Sequence, residues 1–235
     1  MSTAEKLTII ASNVQSVYNA GKAKELCDFW EDLQASGNRV NYDRAFAGWT
    51  SQMSGYFTPK YSMTPTNAYM MFANNTALTD LVQKFSELNI SFDTSNCTYF
   101  SNFLFSSTIT HVGIISTLSI ASIASAFSHA TLLQTIDKLI LKQDGTQILN
   151  NTFDNCTELT QITIDGTIGQ NVNFKWSTKL NAQSINSIIT HLSDTSVDMT
   201  LTLPTTARSN YDSIYGTGSF DTFIASKSNW TISLI

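Results

Sequence analysis

Three histidines, His111, His129 and His191, are the natural candidates for proton transfer or metal ligation, and each stands in a different stretch of the chain. His111 and His129 are 18 residues apart, a separation that would let them approach on neighbouring turns of a coiled chain. Taken singly, each reads as a surface or hydrogen-bonded residue. The acidic residues Asp93, Asp137, Asp154 and Asp165 never fall into the alternating pattern of a calcium loop. A carboxylate pair for glycoside cleavage is visible only in space, and nothing in the sequence favours one. There is no GxSxG elbow, no GxxxxGK phosphate loop and no HExxH zinc helix. Gly216-Thr-Gly218 lacks the third glycine of a dinucleotide site and reads as a turn. Cys27, Cys97 and Cys156 are odd in number and far apart, with no CxxC pair. They read as buried thiols, with one disulfide among them left open. The expectation is a protein with no catalytic residues, no cofactor and no metal.

Composition narrows the partners. Charged residues make up 13 % of the chain, about half of the roughly 25 % usual in soluble domains; Ser, Thr and Asn take their place. Such a neutral, hydrogen-bonding surface is typical of β-rich extracellular, adhesive or virion proteins. The net charge is −5, and the thirteen Lys and Arg form no patch. Nucleic acid, which is bound by displacing counterions with clustered cations, is therefore excluded as an expected partner. The start, Met1 to Lys6, lacks the basic and apolar regions of a signal peptide. The most apolar stretch, Val112 to Ala126, is interrupted by Gly113 and several Ser and Thr; it is too short for the ~20 residues of a membrane span.

The elements that must position these residues begin with two predicted helices. Over Thr3 to Asn19, Leu7, Ile10, Val14 and Val17 recur at a heptad-like period, and Gly21 provides a stop. Lys22 to Leu33 carries Leu26, Phe29, Trp30 and Leu33 on one side. Residues 1–35 are read as an anchoring or oligomerisation segment, with Leu7, Ile10, Val14 and Val17 as the seam, suited to a homotrimer. Residues 36–71 are aromatic and turn-rich and read as a linker with its own small cluster.

From residue 72 to 180 the chain repeats itself. Five phenylalanines are each followed six residues later by a bulky aliphatic: Phe72 and Leu78, Phe103 and Ile109, Phe127 and Leu133, Phe153 and Leu159, Phe174 and Leu180. In the first four a further aliphatic follows three residues on (Leu81, Val112, Ile136, Ile162), whereas the fifth has Gln183. Successive phenylalanines lie 31, 24, 26 and 21 residues apart, within or near the period of leucine-rich repeats. These ten residues are the expected repeat core, shared between stacked turns because no turn can bury its apolar face alone. Residues 181–235 read as a cap: a helix over Ala182 to Leu192, a strand over Met199 to Leu203, helices over Thr205 to Tyr211 and Phe220 to Ala225, and a strand over Trp230 to Leu234. The expected fold is an α/β solenoid, a short irregular leucine-rich-repeat array with N-terminal helices and a C-terminal α/β cap.

Phe153-Asp-Asn-Cys156-Thr-Glu-Leu159-Thr-Gln-Ile162-Thr-Ile164 resembles a unit of the BspA-like leucine-rich-repeat proteins. The leader, with Tyr18-Asn-Ala-Gly21-Lys22, Phe29-Trp30, Phe46-Ala-Gly48-Trp49 and Pro59-Lys60-Tyr61, is similar to that of repeat proteins encoded beside tail genes in phages and prophages of gut bacteria. So is the end, with Leu201-Thr-Leu-Pro204 and Lys227-Ser-Asn-Trp230-Thr-Ile232. The resemblance implies a non-catalytic virion protein, associated with a tail or fibre and assembled in the bacterial cytoplasm. Its partners would be other virion proteins, through the N-terminal helices, and a host-surface protein or glycan. A bacterial surface adhesin, a purely structural particle protein and a glycan-cleaving virion enzyme are the alternatives.

Overall fold

The computed structural model describes residues 40–194 and 198–235. The candidate seam Leu7, Ile10, Val14 and Val17, with the whole 1–35 segment, lies outside the described residues. In chain order the strands are β1 (Val40–Asn41), β2 (Pro65–Asn67), β3 (His111–Ser116), β4 (Thr135–Ile140), β5 (Gln161–Asp165), β6 (Val172–Asn173), β7 (Met199–Leu203) and β8 (Trp230–Leu234). The helices are α1 (Leu81–Glu87), α2 (Ala182–Thr190), α3 (Thr206–Tyr215) and α4 (Ser219–Ala225), with a 3-10 turn at Ser51–Tyr56. All pairings are parallel, in the orders β1-β2, β3-β4-β5 and β6-β7-β8.

Parallel sheets are buried and rich in branched aliphatics, and β3 to β5 obey that rule. Val112, Ile136 and Ile162 align across the sheet, as do Ile115, Leu139 and Ile164, and all six are buried. Between its two buried residues β4 carries one residue more than β5, a bulge at Asp137-Lys138. Bulges re-aim side chains, and this one turns Asp137 toward His111.

A second periodicity is written in the backbone. Arg44 and Gly48, Met70 and Asn74, Asn102 and Ser106, Ser125 and His129, and Asn151 and Asn155 all have positive φ, four residues apart in each turn. Such conformations cost non-glycine residues on the order of 1 kcal/mol each. Here most of these N–H groups gain a partner in return. Arg44 donates to Tyr69 O, Met70 to Ser101 O, Asn102 to Ala124 O and Ser125 to Asn150 O. Gly48, Asn74, Ser106 and His129 donate likewise to Ala73, Phe105, Ser128 and Asp154.

Midway between each such pair lies a residue whose N–H also reaches the next turn: Phe46 to Met71 O, Phe72 to Phe103 O, Leu104 to Ala126 O and Phe127 to Thr152 O. This register places Phe46, Phe72, Leu104, Phe127 and Phe153 on equivalent positions. The expected ladder is thus corrected at one rung, where Leu104 rather than Phe103 occupies the position. It also begins earlier, at Phe46, so that Tyr42, Phe46, Trp49 and Phe57 of the supposed linker are buried in the same core. The rings remain contiguous, with Phe100 bridging Phe103 and Phe127 at 4.2 and 6.4 Å: Phe46–Phe72 centroids lie 5.3 Å apart, Phe72–Phe103 5.5 Å, Phe127–Phe153 5.6 Å and Phe153–Phe174 4.4 Å. All ten residues of the expected core are buried (Phe72, Leu78, Phe103, Ile109, Phe127, Leu133, Phe153, Leu159, Phe174, Leu180).

The expectation of an α/β solenoid with a leucine-rich-repeat array is not met. Beyond β5 the neighbour is not another strand but α2. Its Ser184 Oγ accepts from Ile162 N and its Ser187 Oγ from Ile164 N, each at 2.8 Å. These hydroxyls stand in for strand carbonyls and close an otherwise open edge. The described residues therefore hold four α helices and separate parallel sheets of two, three and three strands, not one continuous array. No helix among them is long and apolar enough to cross a membrane.

Candidate functional site

His111, at the start of β3, lies between two carboxylates. Its Nδ1 is 3.3 Å from Asp80 Oδ2 and its Nε2 2.9 Å from Asp137 Oδ1. Asp80 is placed by a second task, capping α1 by accepting from Gln83 N at 2.8 Å. Asp137 is placed by the β4 bulge. Gly113 lets α1 come close, since a Cβ there would stand 3.3 Å from Val82 Cγ2. Burial disfavours the charged ring, but the hydrogen bond to Asp137 and the charges of Asp137 and Asp80 outweigh it and raise the pKa above 6.5. With both ring nitrogens facing acceptors, the imidazolium is the form that satisfies the geometry. Its contacts to Asp80 and Asp137 clamp α1 to β4.

A raised folded-state pKa contributes stability that is complete below the unfolded value and lost as pH rises through the folded one. The melting temperature of the protein is expected to exceed that of His111→Gln most at mildly acidic pH, and the gap to shrink as pH rises past 6.5. Thermal scans of both proteins from acid to mildly alkaline pH check this; a pH-independent gap would refute the clamp.

The other predicted residues are not drawn together. His129 Nδ1 contacts Ser128 Oγ at 2.8 Å, but Ser128 is buried and the ring has no carboxylate partner among the described residues. His191 Nδ1 donates to Ser187 O at the end of α2. Cys97 and Cys156 are free and buried; burial raises the Cys97 thiol and pushes the Cys156 thiol up to about 12, with the Asp154 charge adding to it. Asp154 accepts from Trp176 Nε1, and Asp165 pairs with Lys138. Among the described residues no group of three His, Cys, Asp or Glu could hold a metal ion.

The feature that the sequence does not announce lies where the backbone ladder stops. Asn151, Phe153 and Asn155 occupy the positions whose N–H groups reach onward in every earlier turn. Here those three N–H groups have no hydrogen-bond partner among the described residues. Between Leu149–Asn151 and β6 the walls part into an open cleft of about 510 Å³. Leu149, Asn150 and Asn151 line one side; Asn171, Val172, Asn173, Thr200 and Thr202 line the other. At its far end the cleft is pinned shut. Phe153 stacks on Phe174 at 4.4 Å, Trp176 Nε1 donates to Asp154 Oδ1 at 3.0 Å, and Ser177 Oγ donates to Cys156 O at 3.1 Å. The far wall is stiffened by Asn171, whose Oδ1 accepts from Thr200 N at 2.7 Å, and by Asn173, whose Oδ1 accepts from Lys175 N at 2.9 Å. In the sequence these asparagines read as ordinary loop punctuation. Their one common signal is that Asn150-Asn151 and Asn171/Asn173 flank consecutive rungs of the phenylalanine ladder.

The lining contains no ionisable residue, and among the described residues neither a nucleophile–base set nor a carboxylate pair lines it. What it can do is donate and accept hydrogen bonds without charge. No family model, curated protein or solved structure matches the chain.

Proposed function

We propose that the chain is a non-catalytic recognition protein of a phage particle, tail- or fibre-associated, that binds a component of the host surface. The observation that carries the reading is the cleft: a preformed, neutral, hydrogen-bonding concavity with no catalytic group directed into it. Binding sites are concave, largely preformed and few per protein, and binding needs only a fixed set of donors and acceptors. The particle context comes from the resemblance of the leader and C-terminal stretches. The 1–35 segment would supply attachment to other virion proteins.

The test is a binding and turnover experiment with purified chain and envelope preparations from gut bacteria. Saturable binding without release of new reducing ends or peptides is expected. Absence of binding to every preparation, or cleavage of the bound material, would overturn the reading.

A further inference from the structure

Resting on that reading, we infer that the cleft between Leu149–Asn151 and β6 binds a short, uncharged oligosaccharide. About 510 Å³ falls within the range of about 300–1,000 Å³ typical of small-ligand sites. The lining explains the class. Asn150 and Asn151 are exposed and their amides make no hydrogen bond among the described residues, so each offers two donors and an acceptor. Asn171 and Asn173 have their oxygens committed to backbone N–H groups, which orients the amides and leaves their NH₂ groups as fixed donors. Thr200 and Thr202 add hydroxyls that donate and accept, and the open N–H of Asn151 adds one more donor. Sugar hydroxyls also both donate and accept, so a ring of such groups can be matched without any charge.

Charge decides against the acidic alternatives. The cleft offers no cation to a uronate, sialic acid or phosphate. The charged residues nearest in sequence to the lining are Asp154, bonded to the Trp176 indole, Lys175, over that ring at 5.1 Å, and Asp198, and none of the three lines the cleft. Trp176 itself is 46 % exposed. Its N–H is held by Asp154 and one face carries the Lys175 ammonium, so only the remaining exposed surface of the ring is left for the C–H face of a sugar.

Geometry decides against an extended peptide. A strand inserted into a ladder needs about 4.7–4.9 Å on each side. The pinned end, with its stacked rings and two direct hydrogen bonds, does not provide that space. Strand addition also needs pockets for alternate side chains, whereas the apolar lining is limited to Leu149 and Val172, both buried beneath the amides. The exposed Asn150 and Asn151 leave the cleft accessible to a short ligand entering from the side.

The experiment uses the full chain and three probes: a panel of neutral oligosaccharides, the same backbones carrying carboxylates, and an extended Ser/Thr-rich peptide, each followed by calorimetry and by competition with envelope binding. At least one neutral oligosaccharide is expected to bind and to compete, and the carboxylated forms to bind at least tenfold more weakly. Asn150→Ala combined with Asn151→Gly is expected to weaken binding at least tenfold with the melting temperature unchanged, and Trp176→Ala, which also removes the bond to Asp154, to weaken it several-fold in the folded protein. Preference for the peptide or for the acidic sugars would overturn the inference, as would sugar binding indifferent to the cleft substitutions. If envelopes still bind but no neutral sugar binds or competes, this inference fails while the recognition reading stands. If neither binds, both fail.

Discussion

Leu159→Asp is expected to abolish cooperative folding. Leu159 is fully buried at the turn that leads into β5, with its N–H held by Cys156 O, and it belongs to the apolar cluster that runs from Tyr42 to Trp230. A carboxylate there has no partner, and burying it costs several kcal/mol even when the group protonates instead. A domain of this kind holds only about 5–15 kcal/mol in total. The measurement is a thermal or denaturant melt followed by circular dichroism. Two controls bracket it. Leu159→Met keeps volume and apolarity and should cost less than about 1.5 kcal/mol. Leu118→Asp alters a side chain that is 47 % exposed and should change stability by roughly 0.5 kcal/mol or less. A soluble Leu159→Asp protein with an unchanged melting curve would remove this residue from the core.

Why the sequence conveys some of this architecture and hides the rest can be argued from particular residues. Met199–Leu203 and Trp230–Leu234 are strands where expected, and α2 begins at Ala182 as expected, because Pro204 and the Ile185, Ile188, Ile189 spacing are local signals. The phenylalanine ladder is legible as burial but not as register. Phe103 and Leu104 are both fully buried, and only the hydrogen bond from Leu104 N to Ala126 O shows which one occupies the rung. Phe46 escapes the pattern because position 52, six residues on, is Gln52. The departure from the expected fold has the same origin. Ser184 and Ser187 read as ordinary helix residues, and that a helix hydroxyl can replace a strand carbonyl at the β5 edge is a long-range fact. The cleft depends on that long-range break in the ladder. An asparagine pair announces a turn; it does not announce that the next segment stands apart.

Gly166→Ala is expected to destabilise the protein by about 3 kcal/mol or more, a positive-φ penalty of roughly 1–3 kcal/mol joined to a steric collision. Gly166 has φ +96°, and a Cβ there would stand 2.2 Å from Leu141 O and 2.8 Å from Leu141 C. Backbone atoms cannot swing aside as a flexible side chain can. Both flanks are also tied, since Leu141 N donates to Asp165 O at 2.7 Å and Thr167 N to Lys142 O at 3.1 Å. Gly216→Ala supplies the comparison. Its φ is +101°, yet the nearest atom to a Cβ is Ser219 Oγ at 3.7 Å, so it should show the conformational penalty alone, roughly 1–3 kcal/mol. The difference between the two melts measures the collision; equal losses would mean that residues 141 and 166 do not meet so closely. Gly166 also opens the short connection from β5 to β6, and β6 is the far wall of the cleft. Displacing this turn should therefore weaken ligand binding in whatever fraction of Gly166→Ala remains folded, whereas Gly216→Ala should bind normally. That pairing would tie the recognition surface to the place where the backbone ladder parts.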